Sequence, residues 1–428
     1  NYSSQVGFVT IGVTITGKNL PIDLVTIDNY FVTPVVTANE GFELDVLFTN
    51  RAANVVNNID VEVQVGDLPA ETVNIVLQQP IGFNGQSVFT LTGLAYPNPS
   101  KRIDVKATIT KVNGNDNTSN ENVLQTAVAV VDPAKSFERN VVIEEFTGIW
   151  CGYCPVGIVA MDYIRENNNN HRYIPVAVHY DDALSAVSFS KVVSNYCGGS
   201  VPSAVLNRWQ DSYPSLDYGL MDDIEFMAAI PAISTVNASA VFDAENRTIT
   251  VDTETQFTFD YTDGDQNFIL SYAITEDNVG PYQQHNYYTG TNEVPGWGNR
   301  GEYFSMMYFD VARQLDKYSG IAGSIPASIK SGETYKFSHT INATKAINDF
   351  NNCNVVVYLT NVKSGVIENA CWLTKDNNYS GVTEVNQESV DAAAPVEYYN
   401  LQGIRVADPS NGIFIRRQGN TTTKVMIK

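Results

Sequence analysis

Two cysteines with two residues between them, Cys151 and Cys154 in the stretch EEFTGIWCGYCPVG, are the residues of this chain best placed to do chemistry. Three chemistries use such a pair. A zinc ribbon needs two more ligands at matching spacing. The chain has 5 cysteines and 4 histidines in all, the remaining cysteines are single and distant, and no metal or cofactor is called for. A purely structural disulfide would close so small a loop that it constrains the unfolded chain little. A redox pair explains the placement, because a strand-like run precedes the cysteines and a helix-like run follows. A thiol at that junction sits on unpaired backbone N–H groups, and the helix dipole favours its thiolate, the attacking species in disulfide exchange. Cys151 is the expected nucleophile, partly exposed at the helix start. Cys154 is the expected resolving thiol, one turn inside the helix and drawn towards the core by Pro155 and the apolar run after it.

Other residues carry weaker signals. His179, Asp181 and Asp182 in VHYDD follow a strand and read as a solvated loop, with a metal or acid–base role as the alternative. The insertion GPYQQHNYYTGTNEVPGWGNRGEYF holds Tyr282, Tyr287, Tyr288 and Trp297. Such aromatics stack on sugars or grip an extended peptide; they also simply cover a sandwich edge. Cys197 reads as a packed thiol. For Cys353 and Cys371, a hairpin turning at VKSG, with Gly365 in the left-handed position, pairs Val362 with Val366 and sets Cys371 opposite Val357. The two cysteines then lie roughly 13 Å apart along the strands, beyond the ~7 Å that a disulfide spans. Both are expected as buried thiols on the face of Val355, Val357, Leu359 and Leu373. No P-loop, dinucleotide fingerprint or nucleophile elbow is present.

The elements that must position these residues follow from periodicity. Residues 1–133 read as all-β: FELDVLFTN, IDVEVQV, SVFTLTGL and RIDVKATIT alternate apolar and polar positions, as in an immunoglobulin-like sandwich. The polar run VNGNDNTSNEN is expected as a loop. From 134 to 231 strand and helix alternate (NVVIEEF, PVGIVAMDYIREN, RYIPVAVHY, ALSAVSFSKVVSNYC, VPSAVLNR, LMDDIEFMAAI), which predicts crossover connections and a parallel component in the sheet. Residues 232–375 return to strands and predict a second β-sandwich carrying the aromatic insertion. Residues 376–395 have linker composition, and 396–428 hold three short strand signals. The predicted class is a multidomain β plus α/β chain.

Charged residues make up 17% of the 428 residues and the net charge is −21, so wholesale binding to nucleic acid is excluded. No apolar run approaches bilayer-spanning length. The chain opens on Asn1 without a secretory signal, as a mature exported chain would, and its Asn-, Thr- and Tyr-rich composition suits an extracytoplasmic protein.

The stretches VVIEEFTGIWCGYCPVG and GGSVPSAVLN resemble the thioredoxin superfamily. Trp150 takes the place of the family's Trp before the first cysteine. Glu145, six residues before Cys151, falls where the family has a buried acid that relays protons to the resolving thiol. Val201-Pro202 falls where it has a cis-proline whose neighbouring backbone binds the substrate strand. The dipeptide Gly-Tyr between the cysteines and a Glu in place of Asp are departures. The whole layout is similar to the Omp28-related exported proteins of Bacteroidetes, and YYNLQGIRV…GIFIRR…KVMIK is similar to type IX sorting segments. The resemblance implies an exported thiol–disulfide oxidoreductase of the cell envelope: outer membrane-associated, at the cell surface or in the periplasm. Its partners would be protein thiols or disulfides of exported clients, with the β-sandwiches as further envelope contacts. The alternative is a non-enzymatic surface binding or adhesion protein with a static disulfide.

Overall fold

The run VVIEEFT at Val141–Thr147 (β1) is buried at every position. Burial on both faces marks a central strand. In a computed structural model that describes residues 21–167, 171–262 and 268–374, together with the backbone of short strands further on, β1 lies inside an eight-stranded sheet. The others are β2 (Tyr173–His179), β3 (Ser203–Leu206), β4 (Gln210–Ser212), β5 (Phe268–Glu276), β6 (Val311–Ile321), β7 (Cys353–Asn361) and β8 (Ile367–Leu373), in the spatial order β4-β3-β1-β2-β6-β5-β7-β8. The expected crossover is present: β1 and β2 are parallel, with Glu145 opposite Ala177 and Thr147 opposite His179. They are joined through α1 (Pro155–Asn167). β3 pairs antiparallel to β1.

Residues 134–231, expected as one domain, and residues 232–375, expected as another, each supply four strands to this one sheet. The seam is β6, which bridges to β2 at Val311 and pairs with β5 along its length. Sequence reading missed β6 because VARQLDKYSGI mixes charges into the strand. One of them, Arg313, forms a buried ion pair of 3.1 Å with Glu276 of β5.

Strand alternation divides β1 between two layers. Val141 and Ile143 pack with Ala160, Met161 and Ile164 of α1 and with Ile224 of α3 (Leu220–Ala229). The same core runs on to strands Ser234–Asp243, Thr248–Phe257 and Tyr335–Asn342, which pair with one another in a second sheet. Val142 and Phe146 point the other way, onto Val192 of α2 (Ser190–Tyr196) and onto Phe189 just before it. That helix is shorter than its sequence pattern predicts. Only a single 3-10 turn, Val187–Phe189, precedes it, because the Asp182 carboxylate ties the preceding loop down through the Leu184 N–H at 2.7 Å.

The described part of 1–133 forms two sheets around one apolar core, as a sandwich requires. The run expected as a plain polar loop instead holds a two-residue strand, Asn115–Asp116, and buries Val112 and Asn117. Asn117 accepts from the Val25 N–H and donates to the carbonyls of Val25 and Ile109, so its amide substitutes for a strand partner. The 353–373 hairpin has the expected core register, Val357 opposite Cys371, with Gly365 at φ +77. A bulge between Leu359 and Thr360 shifts the turn end by one residue. Cys197, Cys353 and Cys371 are buried free thiols, and burial pushes Cys353 up to about 12.

The chain divides after Tyr379 into two compact units. The second contains a four-stranded sheet of Val396–Tyr399, Arg405–Val406, Gly412–Gln418 and Thr421–Ile427. Apart from a two-residue strand, Tyr379–Ser380, the expected linker 376–395 lies outside the described residues. Among the described residues no helix is long and apolar enough to cross a membrane.

Candidate functional site around the Cys151–Cys154 disulfide

Cys151 and Cys154 form a disulfide with α-carbons 5.3 Å apart. They occupy a turn between β1 and α1, closed by the Cys154 N–H donating to the Cys151 carbonyl at 3.2 Å. The helix begins later than expected. Pro155, which lacks an N–H, is its first residue. Cys154 is therefore the cap, its carbonyl accepting from Gly157 at 2.9 Å and Ile158 at 3.2 Å. Cys151 stands a turn outside the helix rather than on its first residue. It is also less open than expected, at 5% exposure against 0% for Cys154.

Two features flank the pair. The Val201-Pro202 peptide is cis, and the Val201 carbonyl oxygen lies 3.7 Å from Cys151 Sγ. Trp150 is exposed, and its indole N–H donates to the Tyr180 carbonyl at 2.9 Å.

Glu145 lies beneath, on the α1 face of β1. Its Oε1 has no hydrogen-bond partner and is packed against Gly157, where a side chain of any size would collide with the carboxyl. Burial pushes this carboxyl up to about 8, against the lowering pull of the Thr147 hydroxyl. Its neighbour Glu144 faces the opposite layer, where Arg208 grips both carboxylate oxygens at 2.7 and 2.9 Å.

The aromatic insertion is part of the same site. Strands Val279–His285 and Tyr303–Tyr308 form a hairpin, and its tip lies along the cysteine turn. His285 N–H donates to the Ile149 carbonyl at 2.8 Å and Tyr287 N–H to the Gly152 carbonyl at 2.9 Å. The Gln284 side chain donates to the Cys151 carbonyl at 2.8 Å, and its own carbonyl accepts from the Tyr308 hydroxyl at 2.9 Å. The Tyr287 ring covers Gly152 and meets Tyr153 edge-on at 5.0 Å, while Tyr288 reaches the Tyr153 carbonyl at 3.5 Å. Of the four aromatics singled out in the insertion, Tyr287 and Tyr288 lie beside the disulfide. Tyr282 packs lower down, against the Leu184, Val279, Tyr308 and Val311 cluster. Trp297 does not face a ligand at all. It is 2% exposed and stacked under Arg300, forming the insertion's own core.

VHYDD is not a solvated loop. His179 and Asp182 are buried and joined Nδ1 to Oδ2 at 2.7 Å. The same Oδ2 accepts the Ile149 N–H at 2.9 Å, so the pair anchors the loop that carries Trp150 and Cys151. Burial works to raise the Asp182 carboxyl, but hydrogen bonds from His179, Ile149 and Leu184 outweigh it and hold the group below the usual range. Tyr180 and Asp181 point outward, Asp181 at φ +51.

No protein-family model and no curated protein matches the chain. Among solved structures it is similar to HBP35 of Porphyromonas gingivalis, at 18% identity and TM-score 0.43, over 68% of this chain and 98% of that one. It is also similar to the CARDB domain of the PF1109 protein from Pyrococcus furiosus, at 21% identity and TM-score 0.20, over 27% of this chain and 99% of that one. A third likeness is to the PKD domain of an M14-like peptidase from a Thermoplasmatales archaeon, at 12% identity and TM-score 0.16, over 26% of this chain and 98% of that one. At TM-scores below 0.5 these likenesses carry no assignment.

Sequence reading brought Cys151, Cys154, Glu145, Trp150, Val201 and Pro202 to one place. It missed Gln284 and Tyr308, for which no local signal exists, and it placed Asp182 in a solvated loop, where the structure buries it.

Proposed function

We propose that the chain is a thiol–disulfide oxidoreductase-like protein acting through Cys151 and Cys154, exported to the bacterial cell envelope. The observation that carries this reading is the approach of the Val201 carbonyl to Cys151 Sγ, 3.7 Å away, with the Glu145 carboxyl, its Oε1 unpaired, buried beside α1. In this reading residues 134–231 are a thioredoxin-like block between an immunoglobulin-like sandwich (1–133) and a second sandwich (232–375). Residues 396–428 are a sorting-like segment after a linker, in the manner of Omp28-related proteins.

The chemistry balances without a cofactor. The Cys151 thiolate attacks a client disulfide, forming a mixed disulfide and releasing one client thiolate. Cys154 gives its proton to ionised Glu145 and attacks Cys151 Sγ, re-forming the internal disulfide and releasing the second client thiolate. Trp150, Val201 and Pro202 border the groove in which the client strand lies.

A second reading, a surface binding protein with a static disulfide, is favoured by one observation. Both sulfurs are buried, and Tyr287 lies over the cysteine turn. Expression of Cys154→Ser in an oxidising compartment separates the two. The oxidoreductase accumulates mixed disulfides through Cys151, identified by mass spectrometry. A variant with no adducts, alongside a wild-type pair that resists reduction while folded, establishes the static reading.

A further inference from the structure

Glu145 and His179 are diagonal neighbours on one face of the β1–β2 pair, since Glu145 stands opposite Ala177 and Thr147 opposite His179. Together with Thr147 they line one small cleft of about 30 Å³, which has room for a water molecule. Each brings a polar atom without a partner, Oε1 of Glu145 and Nε2 of His179. The other imidazole nitrogen is fixed: Nδ1 lies 2.7 Å from Asp182 Oδ2, a carboxylate already accepting from Ile149. A carboxylate beside Nδ1 makes that nitrogen the donor and leaves Nε2 a bare acceptor. A buried bare acceptor beside a buried acid is costly unless a proton or a water lies between them.

We propose that His179 shares the proton of Glu145 across this cleft, so that Asp182, His179 and Glu145 form one proton-holding unit behind Cys154. The proposal rests on the oxidoreductase reading and deepens it. When Cys154 is deprotonated its S–H bond breaks and a Glu145 O–H bond forms. The O–H that Glu145 already shared breaks at the same time as Nε2–H forms on His179, and the Asp182 carboxylate balances the imidazolium. The acid is thereby reset without opening the site, and in the opposite direction the same unit returns the proton to the thiolate. Burial pushes the Glu145 carboxyl up to about 8, so it holds a proton that it can share.

The other groups facing His179 are few. From the insertion hairpin comes the Tyr308 ring, edge-on at 5.4 Å, its hydroxyl held by Gln284. Asp162 and Arg165 of α1 line the far side of the cleft and pair with each other, and Arg165 also holds Asp310 at 2.8 Å. Their charges are engaged with one another, which leaves Glu145 as the partner for Nε2.

The test uses the oxidised full-length chain, so it does not depend on thiol exchange. With 4 histidines in the chain, ¹⁵N-histidine labelling gives few imidazole signals, and loss of one signal set in His179→Gln assigns His179. The expected tautomer at neutral pH is Nδ1–H with bare Nε2. The His179 titration midpoint is expected to move by at least about half a pH unit in Glu145→Gln. Unfolding curves confirm that Glu145→Gln folds. An Nε2–H tautomer, or a midpoint unchanged by Glu145→Gln, overturns the proposal. Coupling found in a protein that traps no client supports the proton unit and sinks the oxidoreductase reading alone.

Discussion

The backbone N–H of Tyr287 donates to the carbonyl of Gly152 at 2.9 Å, and its ring lies where a Gly152 side chain would be. A residue of the aromatic insertion thus takes up the space between the two cysteines. Glycine at 152 is required by that approach, because an alanine Cβ would meet the ring atoms at 2.5–2.7 Å. The insertion covers the turn at Gly152, next to Cys151, while the Val201 carbonyl approaches the Cys151 sulfur.

Tyr287→Ala should therefore expose Cys151. An edge-on aromatic contact contributes about 0.5–1.5 kcal/mol, so alkylation of reduced Cys151 by limiting iodoacetamide near pH 7 should rise roughly two- to tenfold. Cys154, capped by α1, should stay slow in both proteins. Equal acceleration at both cysteines would show that the substitution loosens the whole turn rather than lifting a cover.

Gly157→Ala tests the packing of Glu145. Glycine to alanine inside a helix ordinarily stabilises by up to about 1 kcal/mol. Here the new Cβ would sit 3.2 Å from Glu145 Cδ, with Oε1 closer still. Overpacking costs about 1–3 kcal/mol, so the expected net effect in denaturant unfolding is a loss. In a Glu145→Ala background the obstacle is gone and the sign should reverse. Additive effects of the two substitutions would refute the contact.

These contacts explain which parts of the site could be read from the sequence. The cysteine pair, Trp150 and Glu145 lie within ten residues, so their spacing fixes their geometry once a strand–turn–helix is assumed. The register of Val357 opposite Cys371 follows from one turn residue, Gly365. The hairpin over the disulfide could not be read, because Tyr287 and Gly152 meet only through β6 joining the insertion to β2, and β6 hides behind Arg313 and its buried partner Glu276. His179 and Asp182 look like surface residues by type. Their burial depends on the Tyr308 ring, which arrives from the same distant hairpin.

Arg208 illustrates the opposite face of β1. Its guanidinium holds Glu144 in a buried two-point contact and stands 5.2 Å from the Tyr358 ring centre. Arg208→Ala leaves a carboxylate buried among aromatic rings without its cation, a loss of about 3–5 kcal/mol. Joint replacement, Glu144→Gln with Arg208→Met, should recover much of that loss in urea unfolding at pH 7. A double variant as unstable as Arg208→Ala would mean that packing of the arginine stem, not charge compensation, dominates.

Glu145 gives the last prediction its sign. Its folded-state pKa is raised from the ordinary 4.5 to about 8 by burial. Between those values the folded protein holds a proton that the unfolded chain has released, so stability falls as pH rises across that window and levels off above it. Glu145→Gln carries no such proton. Relative to wild type it should match in stability near pH 4, gain steadily from about pH 4.5, and reach an advantage on the order of a few kcal/mol at pH 8. Asp310, pushed up to about 7 by burial and by its neighbour Asp277, tilts both proteins the same way. The difference between the two curves is therefore the quantity to measure. A difference that does not change between pH 4 and pH 8 would show that Glu145 titrates as an exposed carboxylate, and the proton-relay role would fall with it.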